Sequence, residues 1–103
     1  MPKGLMTVHS RPASEADAPA FHAWYDATHV PELLAVDGFA AATRYDAVDG
    51  DGFLAVYELD VDPDIAAANL AAARSAGTMT PPVGLQLDPP PVVRYFRRRE
   101  GGS

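Results

Sequence analysis

The segment Phe53-Leu54-Ala55-Val56-Tyr57-Glu58-Leu59 constrains this chain more than any other. Side chains alternate along a strand, so Phe53, Ala55, Tyr57 and Leu59 point one way while Leu54 and Val56 point the other. Both sets are apolar, which in an antiparallel sheet signals burial on both faces. The first strand, read over 3–10, behaves likewise, with Met6 and Val8 opposed to Leu5, Thr7 and His9. A chain of 103 residues is one small domain, and it has few elements with which to cover two apolar faces.

The remaining elements follow from punctuation. Arg11-Pro12 stops the first strand, because proline lacks the ladder donor. Ser14, three residues before Asp17, is a candidate helix N-cap. A helix is predicted over about 15–28, with Phe21, Trp24, Tyr25 and Thr28 as its core stripe. Pro31 disfavours helical geometry at Val30 and restarts a short turn over 31–35. A strand over 39–47 is joined to 53–59 through the hairpin signal Asp49-Gly50-Asp51-Gly52. Asp62-Pro63-Asp64 opens a second helix that runs to about Ser75, with Ile65 and Leu70 as bulky anchors and Gly77 as its stop. Residues 78–91 hold five of the ten prolines and read as a loop of defined path. The last strand is Val92–Arg97.

The order β-α-β-β-α-β is the ferredoxin-like split unit. The predicted class is therefore α+β, a four-stranded antiparallel sheet with two helices on one face. One domain is expected over 1–99, with a disordered tail at 100–103. Two helices on one face leave the other bare, and a bare apolar face is unusual for a monomer. A homodimer packed sheet on sheet is expected to cover it. The alternative is a monomer whose proline loop, 78–91, folds over it.

Composition removes several functions. Without cysteine there are no disulfides, thiolate metal sites or cysteine nucleophiles. A net charge of −6 argues against nucleic acid. Arg94, Arg97, Arg98 and Arg99 crowd the end of the last strand. They read as a solvated strand end, or as an anion or inter-subunit salt-bridge site. No apolar run approaches the roughly 20 residues of a membrane span. The first residues lead into a strand without a signal-peptide core, so a soluble cytoplasmic protein is expected. There is no glycine-rich phosphate loop ahead of a helix, no G-x-S-x-G elbow and no sign of flavin or nicotinamide binding. No cofactor and no bound metal are expected.

The candidate chemistry lies on the first helix, where His22, Asp26 and His29 stand at i, i+4 and i+7. One reading is a metal site, in which His22 with Asp26, or Asp26 with His29, chelates an ion as a pair; i to i+7 spans about 10.5 Å of rise, too far for all three on one ion. A second is acid-base work, in which Asp26, three residues before His29, holds the imidazole in one tautomer. A third is helix capping and solvation. His9 reads as a core histidine or a ligand contact, and Arg44 as a solvated edge residue or an anion clamp. Tyr25, Tyr45 and Tyr57 are packing residues whose hydroxyls need partners. Trp24 reads as an anchor of helix to sheet.

The run from Phe21 to Leu34, followed by Asp37-Gly38-Phe39 and Thr43-Arg44-Tyr45, resembles the EthD-like branch of the dimeric α+β barrel superfamily. The shared features are a tryptophan in the first helix, a histidine near its end, a proline two residues later and a glycine-aromatic strand entry. The resemblance covers about residues 3–60; beyond 63 only the element order matches. It implies a homodimer whose sheets close a barrel, with a ligand cleft in each subunit between the sheet and the first helix. Relatives include cofactor-free monooxygenases, polyketide cyclases, lactone isomerases, haem-degrading enzymes and proteins with no known activity. The monooxygenases tend to use an Asn, Trp and Tyr set; here the sole asparagine, Asn69, lies on the second helix.

The expected function is a small cofactor-independent cyclase, isomerase or monooxygenase acting on an apolar ring-containing or polyketide-like molecule. His29 would be the acid-base group, Asp26 its orienting carboxylate, and Tyr57 or His9 an oxyanion donor. His9, His22, Tyr25, Tyr45 and Arg44 would contact the substrate. The alternatives are a non-catalytic binding dimer and a haem- or metal-dependent enzyme.

Overall fold

In the computed structural model, which describes residues 1–99, four strands pair antiparallel in the order β2-β3-β1-β4. They are β1 (Gly4–Ser10), β2 (Phe39–Asp46), β3 (Phe53–Leu59) and β4 (Val92–Arg97). The first helical run comprises α1 (Ala18–Trp24), a π-helical turn (Tyr25–His29) and α2 (Val30–Leu34); α3 is Pro63–Ser75. This is the ferredoxin-like α+β arrangement expected from the element order. The tail expected to be disordered, 100–103, lies outside the described residues.

Alternation in β3 sorts the two faces as its sequence implies. Ala55, Tyr57 and Leu59 are buried beneath the helices, together with Met6, Phe21, Trp24, Tyr25 and Leu33. Asp62 accepts from the Asp64 N–H at 3.0 Å and caps α3, with Pro63 in the first turn. Leu70 is buried in α3, but Ile65 is 53% exposed and anchors nothing. Ser14 takes the Asp17 N–H at 3.2 Å, yet it closes a turn ahead of the helix, which starts only at Ala18.

Pro31 does not interrupt the first helix. Val30 keeps φ −60° and ψ −48°, and its N–H donates to the Tyr25 carbonyl, an i→i+5 bond. Proline offers no N–H and crowds the carbonyl four residues back. A wider turn just ahead of it absorbs that conflict while the chain stays helical.

The proline loop packs on the helical side. Pro12 and Leu85 form a β-bridge, the Gln86 N–H donates to the Arg11 carbonyl, and Gly84 (φ +68°) lies against Asp17 and Phe21. A Cβ at Gly84 would sit 3.0 Å from the Asp17 carbonyl oxygen, so close approach and positive φ both require glycine. The loop is thus not the cover of the other sheet face. That face carries Leu5, Thr7 and His9, paired with Glu58, Val56 and Leu54 on one side and Phe96, Arg94 and Val92 on the other. Tyr45 extends it beyond Leu54. Tyr45, Val92 and Phe96 are exposed there.

Candidate functional site

A cavity of about 470 Å³ opens between the inner face of β1, the first helix, α3 and the proline loop. Clefts of this size suit small molecules. Met6, Val8, Leu33 and Leu70 form apolar walls, and Met79, Leu85 and Leu87 close it from the loop. Five polar or charged side chains reach it: Ser10, Tyr25, His29, Arg74 and Thr80.

The π-turn builds the aromatic corner of this cleft. A turn closed by i→i+5 bonds brings the fifth residue over the first. Trp24 and His29 are five apart and stack, with ring centroids at 4.5 Å and planes 26° apart. Tyr25 meets His29 edge-on at 5.0 Å. The same widening separates residues three apart, so Asp26 and His29 do not meet. Asp26 instead accepts from the Arg44 guanidinium at 2.9 Å. The expected carboxylate-imidazole pair is absent, because its spacing presumed an ordinary α-turn.

His29 Nδ1 is buried without a hydrogen-bond partner. Burial, then the positive field of Arg74, hold the ring's pKa down at about 4, so near neutral pH the imidazole is uncharged. The Tyr25 phenol is pushed up by burial, opposed by the nearby hydroxyls of Tyr57 and Ser10. Burial, and then Tyr25, raise Tyr57 too. These hydroxyls lie close enough to affect one another's acidity. Even so, neither phenol has a hydrogen bond of good geometry. Buried polar atoms are normally satisfied. Here Trp24 Nε1, Tyr25 Oη, His29 Nδ1, Arg44 Nε and Tyr57 Oη all lack partners.

The other expected site residues lie outside the cleft. Tyr57 is fully buried behind Tyr25 and is absent from the cavity wall. His9 is on the opposite sheet face, where Nε2 meets the Asp51 carbonyl at 2.7 Å and ties β1 to the hairpin. Tyr45, also on that face, is 52% exposed. Arg44 lies beneath Tyr25, its guanidinium carbon 4.3 Å from the ring centroid, and approaches His22 Nδ1 at 3.2 Å. His22 packs edge-on against Phe53 at 4.4 Å. The guanidinium thus occupies the space between His22 and Asp26 that a metal would need. Among the described residues no three His, Asp or Glu side chains gather as cation ligands. Arg97, of the terminal arginine cluster, is paired with Asp62 at 2.9 Å and Asp64 at 3.3 Å.

Of the residues expected at a site, Tyr25 and His29 line this cavity, and four further residues line it that the expectation did not include. Ser10 shares the parity of Met6 and Val8, which is a readable signal. Trp24, taken as an anchor, is also a wall. Arg74 and Thr80 carried no local signal, since tertiary packing alone brings them to the mouth.

The fold and this cleft define a ferredoxin-like α+β domain with a pocket of small-molecule size between its layers. No protein-family model matches the chain, and no curated protein matches its sequence. Among solved structures it is similar to Rv0793 from Mycobacterium tuberculosis, with a TM-score of 0.58 and 16% identity over 97% of this chain and 99% of that one. At that identity the likeness establishes the fold. No helix is long and apolar enough to cross a membrane, among the described residues.

Proposed function

We propose that the cleft binds an apolar, ring-containing small molecule and that His29 acts on it as a neutral base, with no cofactor. The observation that carries this reading is the group of unpartnered buried polar atoms on Trp24, Tyr25 and His29 around one apolar cavity. These atoms lie just behind the wall with almost no exposed surface, so a ligand carbonyl or hydroxyl would pair with them as the side chains turn toward it, and its ring would lie along the Trp24–His29 stack. An uncharged imidazole can accept a proton from a carbon next to a carbonyl, and the Tyr25 hydroxyl can donate to the developing oxygen. Tyr25 takes the donor role expected of Tyr57 or His9. Trp24 and Tyr25, in place of Asp26, orient His29. Isomerisation or cyclisation needs only these groups. The reading includes the EthD-like placement, a cytoplasmic setting and a homodimer joined through the open sheet face.

The test uses 2-tetralone, an uncharged fused-ring ketone, followed by NMR, with binding read in H2O and hydrogen exchange in D2O. Shifts concentrated at the Trp24 indole N–H and His29 support the cleft. Faster exchange of the proton beside the ketone carbonyl, lost in His29→Phe, supports the base. Binding without accelerated exchange favours the non-catalytic alternative. Shifts centred on Tyr45 or Val56 sink the cleft reading. Light scattering tests the homodimer, which has twice 10.9 kDa, with Val56→Arg returning it to a monomer.

A further inference from the structure

Resting on that reading of the cleft, we propose that its ligand is a monoanion, an apolar ring body bearing one delocalised oxyanion (a carboxylate or the enolate of an acidic enol), which pairs with Arg74 at the mouth. Arg74 is the one formally charged side chain lining the cavity among the described residues. No aspartate or glutamate lines it, although the chain carries 14 acids and a net charge of −6. Arg11, Arg44 and Arg97 each hold a carboxylate at 2.8–2.9 Å, whereas Arg94 and Arg98, which also hold none, lie away from the cavity. Arg74 makes no salt bridge or side-chain hydrogen bond among the described residues.

Glu32, the acid whose charge bears on His29, is already engaged. It accepts from the Thr80 N–H at 3.0 Å and from the Thr80 hydroxyl. The last turn of a helix tolerates a cation without a partner, so Arg74 is stable there while unoccupied. Its planar fork matches a carboxylate or enolate better than a neutral oxygen. The apolar walls suit the ring, and the arginine fixes which end of the ligand faces out. Its field reaches both His29 inside the cleft and Tyr95 on β4. An anion on Arg74 offsets that field at His29. The ligand's own charge thereby strengthens the base that acts on it.

The experiment is calorimetric titration with 2-naphthoate and with its neutral isostere 2-naphthamide, on the wild type, Arg74→Gln and Arg94→Gln. The wild type is expected to bind naphthoate about tenfold more tightly than the amide, the scale of one charge-assisted contact near solvent. Arg74→Gln is expected to erase that preference and leave amide affinity unchanged, which also shows that the variant is folded. Arg94, on the opposite sheet face, is expected to be without effect. Equal binding of both probes by the wild type overturns the anion proposal while leaving the cleft reading intact. So does a preference that survives Arg74→Gln, or an equal loss of both probes in that variant. Failure of both probes to bind overturns the cleft reading and the anion proposal together.

Discussion

Asp26 and His29 are three residues apart on one helical run, yet they belong to different kinds of environment. Asp26 joins a closed polar cluster in which the Arg44 guanidinium meets Asp26, His22 and the faces of Tyr25, Phe21 and Phe53. His29 joins an open one, in which an uncharged ring, an indole and a phenol each keep a buried polar atom unpaired. The closed cluster holds the helix to β2. The open one forms the wall of a cavity and carries the cost of its unpaired atoms. Each cluster leaves a buried nitrogen unpaired, Arg44 Nε in one and His29 Nδ1 in the other, so what separates site from scaffold is the cavity beside the second.

The largest expected effect tests the scaffold half. Arg44→Ala removes stacked packing and two polar contacts, and is expected to cost about 3 kcal/mol in urea denaturation. His29→Leu at pH 8 removes an unsatisfied group and is expected to stay within about 1 kcal/mol of wild type. If the two losses are equal, the contrast fails.

The second test is pH. The folded His29 has a pKa of about 4 against 6.5 for the free side chain, so the unfolded chain takes up the proton first. Stability is full above pH 6.5 and falls as pH drops toward 4. The expected loss is about 2 kcal/mol, reduced from the full shift because the ring is only partly buried. His29→Gln is expected to flatten this window. Glu32 and Asp62, both held below the usual carboxylate range, lose their contributions at lower pH still.

Two smaller effects sharpen the boundary between the clusters. Arg74→Gln is expected to raise the His29 pKa above about 4, read from its Cε1 proton by NMR. Asp26→Asn is expected to leave that titration unmoved and to cost about 0.5 kcal/mol, as suits an ion pair whose carboxylate side is exposed to solvent. A lowered His29 pKa in Asp26→Asn would show that the two clusters communicate.

The architecture was legible because it rests on periodicity and punctuation. The two-sided apolar strand, the Asp-Gly hairpin, the Asp62-Pro63 helix start and the Gly77 stop each carry a local physical cause. The open sheet face was legible too, from the parity of Leu5, Leu54 and Val56. The site was legible only where a local rule survived. Tyr25 and His29 lie in the cleft, but the Asp26–His29 pairing assumed 3.6 residues per turn beside a proline that widens the turn. His9 was placed on the correct face, and that face turned out to be the one without the cavity. Arg74 and Thr80 reach the mouth through the packing of α3 and the proline loop, which no spacing in the sequence encodes.

Trp24 is the chain's single tryptophan, and its indole lies flat against His29 on the cleft wall. An imidazolium quenches a stacked indole more than a neutral imidazole does. The protein's ultraviolet emission is therefore a spectroscopic gauge of this one corner, free of background from any other indole. Its intensity tracks protonation of His29, and its wavelength tracks displacement of water from the cleft. Occupancy can be followed in dilute solution without a label and before any substrate is known.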